Sequence, residues 1–420
     1  MRYKLTAPEK LNARIVLPAS KSITNRVLII NALANSPYKP ENVSDCDDSN
    51  VMTAALGGEL PDVVDVGAAG TAMRFMTAYL AVRPGTHVIT GTERMKNRPI
   101  GILVDALRCL GARIDYMERE GYPPLRIEGG ISQGGQLELP GSVSSQYISA
   151  LLMIGPMLSN GLTLQLKGKI VSRPYIDLTL CIMNEFGASA EWSDVNTITV
   201  MATPYVPRTY TIENDWSAAS YWYEIMKLSP DVDARLTLCG LMDGSKQGDS
   251  TARYLFSLMG VKSTFDTRKQ GVPTNINLKK RPMMLPKLNY NFINQPDLAQ
   301  TFVVTCCAMD IKFHFTGLQS LRIKETDRLA ALQNEMRKLG YVINILNDAE
   351  IAWDGECCEQ DTDSGIDTYE DHRMAMAFAP MALRLPYIII NNPHVVSKSY
   401  PHFWDDLRAA GFTVEETTEN

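Results

Sequence analysis

Between Ser320 and Leu329 the chain carries Arg322, Lys324, Glu325, Asp327 and Arg328. Leu329, Leu332, Met336 and Leu339 follow at steps of three, four and three, the stripe of an amphipathic helix, so the charged cluster sits at a helix start. The helix dipole favours Asp and Glu there and opposes Lys and Arg. The arrangement recurs. Lys21, Ser22 and Arg26 open a helix with Ile23, Val27 and Ile30 on its apolar face and Ser20 as N-cap. Arg94 to Arg98 leads into Pro99, and Ser172-Arg173 into Pro174, with both prolines expected at first helical positions. Asp371-His372-Arg373 opens a helix through Met374, Phe378 and Met381, and Lys398 stands just before Tyr400-Pro401 and the last helix. A single first-turn cation is ordinarily a solvated side chain that costs about 0.3 kcal/mol. Six helix starts sharing the feature point instead to an anion docked against free N–H groups and cations, which removes that cost. Gly67-Ala68-Ala69-Gly70-Thr71 adds a small-residue loop running into a helix, and Ser144-Ser145-Gln146-Tyr147 opens another helix with hydrogen-bonding side chains. The chemistry expected is the gripping of a small polyanion by helix ends.

The elements that must position these groups follow a repeat. A helical stripe ends in Gly, and a short strand-like segment follows, at Gly111, Gly187, Gly260, Gly340 and Gly411. Gly after the last helical turn is the left-handed stop signal. The spacings of 76, 73, 80 and 71 residues suit a duplicated α/β module and are too long for a solenoid unit. Several copies of a helix-and-strand unit are expected, grouped into two halves with a short hinge near residues 211–216. Residues 355–366 read as an exposed loop.

A length of 420 residues suggests two or three domains, and 45% hydrophobic with 21% charged residues is the balance of a globular protein with ample core. The net charge of −6 argues against a nucleic-acid partner, so an anion must be met by a local cluster. Eight cysteines include no CxxC, and the five histidines (87, 314, 372, 394 and 402) are dispersed, so neither a disulfide framework nor a metal site is expected. The first residues lack the apolar core of a signal peptide, and the longest apolar runs, such as 148–158, are too short for a bilayer. A cytoplasmic protein without a membrane partner is expected.

Lys21-Ser22 with Arg26, Gly70 to Arg74, Arg94 to Pro99, Ser144 to Gln146, Lys324 to Leu329 and Asp371 to Met376 occur in that chain order. Together they closely resemble the 5-enolpyruvylshikimate-3-phosphate synthase family, over about residues 1 to 410. The resemblance implies a two-domain inverse α/β barrel of six repeated units. Three would lie in residues 14–213 and three in residues 1–13 with 214–420, the active site lying in a cleft that closes on the substrates. It implies transfer of the enolpyruvyl group of phosphoenolpyruvate to the 5-hydroxyl of shikimate 3-phosphate with release of phosphate. This is the sixth step of the shikimate pathway to chorismate and the aromatic amino acids. It implies no metal or organic cofactor and a monomer.

Position by position, the resemblance makes Ser22, Arg26, Ser144, Ser145, Gln146, Ser172, Tyr175, Asp297 and Lys324 ligands of shikimate 3-phosphate. Lys21, Gly70, Arg98, Gln146, Arg328, Arg373 and Lys398 become the phosphoenolpyruvate grip. Asp297 faces the attacking hydroxyl, Glu325 carries the proton at the methylene carbon, and Lys21 joins them as a catalytic residue. Two carboxylates with distinct surroundings can deliver one proton to carbon and take another from a hydroxyl when nearby cations tune them. This chain departs from the family pattern at Ala68 and Ser320, where Asn is usual, at Phe75 in place of Pro, and at Trp216 in place of a small residue. Two alternatives stand beside this reading. The sister enzyme acting on UDP-N-acetylglucosamine usually carries a Cys in the loop that here reads Arg94 to Arg98. A non-catalytic sugar-phosphate binder would have lost Asp297, Glu325 or Lys398, and all are present.

Overall fold

The computed structural model describes residues 1–267, 269, 271–283, 285–361 and 364–417. The chain divides into one unit of residues 19–212 and another of residues 1–18 with 213–420. Two strands precede the first division, β1 (Arg2–Thr6) and β2 (Asn12–Val16). The unit of residues 19–212 then contains α1 (Lys21–Leu33), α2 (Asp47–Leu56), β3 (Val63–Asp65), α3 (Gly70–Val82), β4 (Thr86–Thr90), α4 (Glu93–Lys96) and α5 (Gly101–Cys109). It continues with β5 (Arg113–Tyr116), β6 (Leu125–Glu128), β7 (Gly135–Pro140), α6 (Ser145–Ile154), β8 (Leu162–Lys167), α7 (Arg173–Glu185), β9 (Ala190–Asp194) and β10 (Thr197–Val200). The second unit runs through α8 (Trp216–Leu228), β11 (Arg235–Met242), α9 (Ala252–Leu258), β12 (Val261–Phe265), β13 (Pro273–Lys280), β14 (Lys287–Asn291) and α10 (Ala299–Ala308). It ends with β15 (Lys312–Thr316), α11 (Arg328–Lys338), β16 (Asn344–Leu346), β17 (Glu350–Trp353), α12 (His372–Phe378), β18 (Ile388–Asn391), α13 (Phe403–Ala409) and β19 (Thr413–Thr417).

One motif underlies this list. A strand and its parallel neighbour are followed by two strands that complete the sheet antiparallel, giving the orders β3-β4-β6-β5, β7-β8-β10-β9, β2-β11-β13-β12 and β14-β15-β17-β16. The fifth sheet, β18-β1-β19, fits the same scheme with its first strand shrunk to one parallel bridge, Ile366 to Ile390. In the unit of residues 19–212, α1 and α2 accompany another such parallel bridge, Glu41 to Thr211. The five repeat glycines each end the second helix of a copy. Their φ angles are +96° at Gly111, +85° at Gly187, +89° at Gly260, +91° at Gly340 and +95° at Gly411, where a Cβ would be strained.

The layering follows from composition. All ten residues of α10 are buried, as are Gly70 through Ala81 of α3 and nearly all of α8, so these helices are interior in their units. The strands alternate instead, as β6 and β8 do, with one face on the core and one on water. Helices inside and sheets outside reverse the usual order of α/β proteins. Each unit has its own apolar cluster.

The expected boundary at residue 13 falls within β2. That strand pairs along its length with β11, from Asn12–Arg235 to Val16–Cys239, and β1 sits between β18 and β19. Backbone hydrogen bonding therefore ties all of residues 1–18 to the C-terminal unit. The helix starts also shift. Ile100 is the N-cap of α5, which begins at Gly101 rather than Pro99, whereas α7 begins at Arg173 with Pro174 second. Part of the expected exposed loop 355–366 lies outside the described residues, and Cys357 and Ile366 are held by bridges to Tyr341 and Ile390. Among the described residues, no helix is long and apolar enough to cross a membrane.

Glu213, at the start of the C-terminal segment, is 4% exposed. Its Oε1 accepts from Trp216 Nε1 at 2.9 Å and Met242 N at 2.9 Å, and its Oε2 from Ser245 Oγ at 2.7 Å and Gln247 Nε2 at 2.9 Å. Trp216 thus joins a carboxylate held entirely by donors. Glu213→Ala strands these buried donors, which should lower the stability of this unit by roughly 3 kcal/mol. Urea unfolding followed by tryptophan fluorescence measures it.

Candidate active site

In the C-terminal unit the charged groups form one network. Asp297 lies in the 3-10 turn Pro296–Leu298 that leads into α10. Its Oδ1 meets Arg328 Nη1 at 2.8 Å and Lys324 Nζ at 3.4 Å, and its Oδ2 meets Arg373 Nη2 at 3.0 Å. Arg328 is the first residue of α11 and its side chain is 2% exposed. Besides Asp297 it holds Glu325 Oε2 at 2.8 Å through Nη2 and Asp371 Oδ2 at 2.6 Å through Nε. Arg373 also donates to the Asp297 carbonyl at 3.3 Å and to the Tyr221 hydroxyl at 3.4 Å. Lys398 closes the Pro393–Lys398 turn and donates to the Glu370 carbonyl at 2.8 Å, next to Asp371.

Local sequence explains the placement. Asp327 caps α11 by accepting from Ala330 N at 3.2 Å, and Arg322 Nη1 binds the other Asp327 oxygen at 2.6 Å. The helix therefore starts at Arg328, and Lys324 and Glu325 stand in the bend before it rather than in its first turn. Asp371 caps α12 by accepting from Arg373 N at 2.9 Å while its carboxylate orients Arg328. Of the two arginines at these helix starts, Arg328 meets Asp371, the capping acid of α12, and Arg373 meets Asp297.

Electrostatics here are decided by competition. Burial alone would raise the pKa of Asp297, but Arg373, Lys324 and Arg328 outweigh it and hold the carboxyl well below the ordinary range. Burial alone would lower that of Arg328, but Asp371, Glu325 and Asp297 push it above its usual value. A depressed carboxylate contributes stability that is fully present above its unfolded pKa of about 4 and is lost as pH falls below it. Urea midpoints should therefore drop on acidification from about pH 5 downward, and less steeply in Asp297→Asn.

The unit of residues 19–212 carries the other residues. Lys21 begins α1 behind Ser20, which accepts from Ile23 N at 3.4 Å, and Lys21 Nζ lies 3.9 Å from Asp48 Oδ2. Gly70 begins α3, and a Cβ there would fall 2.4 Å from Arg98 Nη1, so only Gly lets the guanidinium lie against the backbone. Arg74 ties this corner together, donating to Gly70 O at 2.9 Å and Pro99 O at 3.3 Å. Ser144 caps α6 through Gln146 N at 3.3 Å, Ser145 is its first residue, and Gln146 Nε2 donates to Thr71 Oγ1 at 3.1 Å. Ser172 takes a left-handed conformation, φ +56°, before α7 and gives no side-chain cap. Arg26 is folded inward. It donates to Ser22 O at 2.8 Å, Tyr175 O at 3.1 Å, Thr179 Oγ1 at 2.7 Å and Ser149 Oγ at 3.2 Å. Ser22 and Tyr175 thus meet Arg26 through their backbone.

Asp297, Lys324, Glu325, Arg328 and Arg373 are in direct contact, as are Gly70 and Arg98. Sequence reading missed Asp371, Tyr221 and Arg74 as supports. Asp371 carried a signal, an Asp immediately before a helical stripe. Among the described residues, no group of three or more His, Cys, Asp or Glu could hold a metal ion.

The sequence profile of the EPSP synthase (3-phosphoshikimate 1-carboxyvinyltransferase) family matches residues 5–59 and 57–407. A 3-phosphoshikimate 1-carboxyvinyltransferase of Bacteroides fragilis is 57% identical over 415 residues, covering 99% of each chain. Its counterpart in Photobacterium profundum is 35% identical over 423 residues, covering 95% of this chain and 96% of its own. In fold, the chain resembles the EPSP synthase of Acinetobacter baumannii with a TM-score of 0.79 at 19% identity, covering 99% of this chain and 100% of that one. The enolpyruvyl transferase NikO of Streptomyces tendae gives 0.71 at 15% identity, covering 100% and 99%. These structures share the enolpyruvyl transferase fold with it. With matches of this kind along nearly its full length, the chain belongs to the EPSP synthase (3-phosphoshikimate 1-carboxyvinyltransferase) family.

Proposed function

We propose that this enzyme transfers the enolpyruvyl group of phosphoenolpyruvate to the 5-hydroxyl of shikimate 3-phosphate and releases phosphate. The observation that carries the assignment of roles is the pair of carboxylates, Asp297 and Glu325, sharing the Arg328 guanidinium at 2.8 Å each. Glu325 delivers a proton to the methylene carbon of phosphoenolpyruvate. The 5-hydroxyl oxygen bonds to the adjacent carbon and loses its proton to Asp297. In the second half Glu325 takes a proton back from the new methyl group, the C–O bond to phosphate breaks as Asp297 returns its proton to the departing phosphate, and the enol double bond is restored. Each carboxylate changes protonation once in either direction, the pattern that a shared, tunable charge environment suits.

Arg328, Arg373, Lys398, Lys21, Arg98 and Gly70 bind phosphoenolpyruvate, the arginines because their planar forks match carboxylate and phosphate. Ser22, Arg26, Ser144, Ser145, Ser172, Tyr175 and Lys324 bind shikimate 3-phosphate, and Gln146 serves both. The eight free cysteines fit a reducing cytoplasm, and the enzyme acts as a monomer in this reading. Phosphate release with both substrates, in buffer containing EDTA, tests the proposal. Release that requires each substrate supports it. No release, or release only on adding a divalent ion, counts against it.

A further inference from the structure

We infer that Phe75 is a positioning residue that holds the Arg26 guanidinium in register for an anionic group of the substrate. This rests on the reading above that Arg26 serves shikimate 3-phosphate. Arg26 on α1 is 3% exposed, yet all its hydrogen-bond partners are neutral: the hydroxyls of Thr179 and Ser149 and the carbonyls of Ser22 and Tyr175. A cation this deep is expensive to leave without a counter-charge. Burial pulls its pKa down to about 10.

Those four bonds engage Nε, one N–H of Nη1 and both of Nη2, leaving a single Nη1 N–H without a partner among the described residues. Hydrogen bonds fix the edges of the guanidinium plane and leave its face to another group. The ring of Phe75 on α3 lies beside the guanidinium, with Arg26 Cζ over it at 5.4 Å from its centroid. Phe75 is fully buried, so water does not screen the contact. The negative face of the ring offsets part of the missing counter-charge and keeps the plane from tilting. An aliphatic side chain would fill the space without that electrostatic hold. Held this way, the Arg26 guanidinium keeps one oriented N–H and a charge without an acidic partner for an incoming carboxylate or phosphate.

Phe75→Leu and Phe75→Met remove the ring face with modest loss of volume, and Phe75→Tyr keeps it. Calorimetric titration with shikimate 3-phosphate, alongside steady-state kinetics for both substrates, provides the test. The Leu and Met variants should bind shikimate 3-phosphate about 10-fold more weakly, the scale of a desolvated cation–π contact. The KM for this substrate should rise in step, with kcat and the KM for phosphoenolpyruvate within about twofold and Tyr restoring binding. Unchanged binding in Leu and Met overturns the inference, as does equal loss of both substrates or failure of Tyr to restore. If neither Leu nor Met folds while Tyr does, Phe75 is a packing residue and the inference also falls. Absence of shikimate 3-phosphate binding by the unaltered chain overturns the functional reading itself, a result distinct from all of these.

Discussion

Asp297→Ala should lower turnover by about 10² or more, the scale of general acid–base catalysis, while shikimate 3-phosphate still binds. In the free enzyme the carboxylate is held by Arg328 at 2.8 Å, Arg373 at 3.0 Å and Lys324 at 3.4 Å, so it is charged at neutral pH but a weak proton acceptor. On the proposed assignment, anionic groups of the substrates compete for the same cations. Once they engage Arg328, Arg373 and Lys324, the hold on Asp297 relaxes and its basicity rises, at the moment a hydroxyl proton must be taken. Removing the carboxylate also frees those cations, so phosphoenolpyruvate should bind Asp297→Ala at least as tightly as the parent. Glu325→Gln should show a comparable loss, because an amide cannot supply the proton to carbon. Single-turnover phosphate release separates the chemistry from binding, and calorimetry reports the binding. Near-normal turnover in either variant would show that the residue is misassigned.

Arg328→Lys should be more damaging still, lowering turnover by about 10³ and the stability of the C-terminal unit by roughly 3–5 kcal/mol. One guanidinium here satisfies three carboxylates, Asp297 at 2.8 Å, Glu325 at 2.8 Å and Asp371 at 2.6 Å. An ammonium is a point charge on a shorter reach and cannot span all three directions. At least one carboxylate would remain buried without its partner, and Asp371 is fully buried. The fork offered to the substrate's anionic groups would be lost with it. Steady-state kinetics and urea unfolding of the same preparation measure both effects. A Lys variant with parental stability would mean that the three acids do not depend on this single residue.

Much of this was legible beforehand. The repeat glycines were visible because the left-handed end of a helix leaves a mark in residue type, and all five adopt that conformation. The cap at Ser20 was likewise local, and Asp327 and Asp371, which went unread as caps, carry the same mark of an oxygen-bearing residue directly before an amphipathic stripe. The helix starts at 99–101 and 324–328 were read a few residues off. A 3-10 turn or an isolated bend has nearly the same local composition as a first helical turn.

By itself, then, the sequence determined the α/β repeat and the neighbourhood of the cationic helix starts, because caps, stop signals and apolar periodicity act within a few residues. Tertiary structure decided what depends on partners far along the chain. Parallel pairing of β2 with β11 assigns residues 1–18 to the C-terminal unit, and no property of residues 12–16 alone foretells that neighbour. Asp297, separated by 31 residues from Arg328 and 76 from Arg373, owes its depressed pKa to charges that only folding brings within 3.0 Å. Arg26 and Phe75 meet in the same way, through the packing of α1 on α3. Coulomb and cation–π interactions depend on distance in space, and distance along a sequence does not encode it.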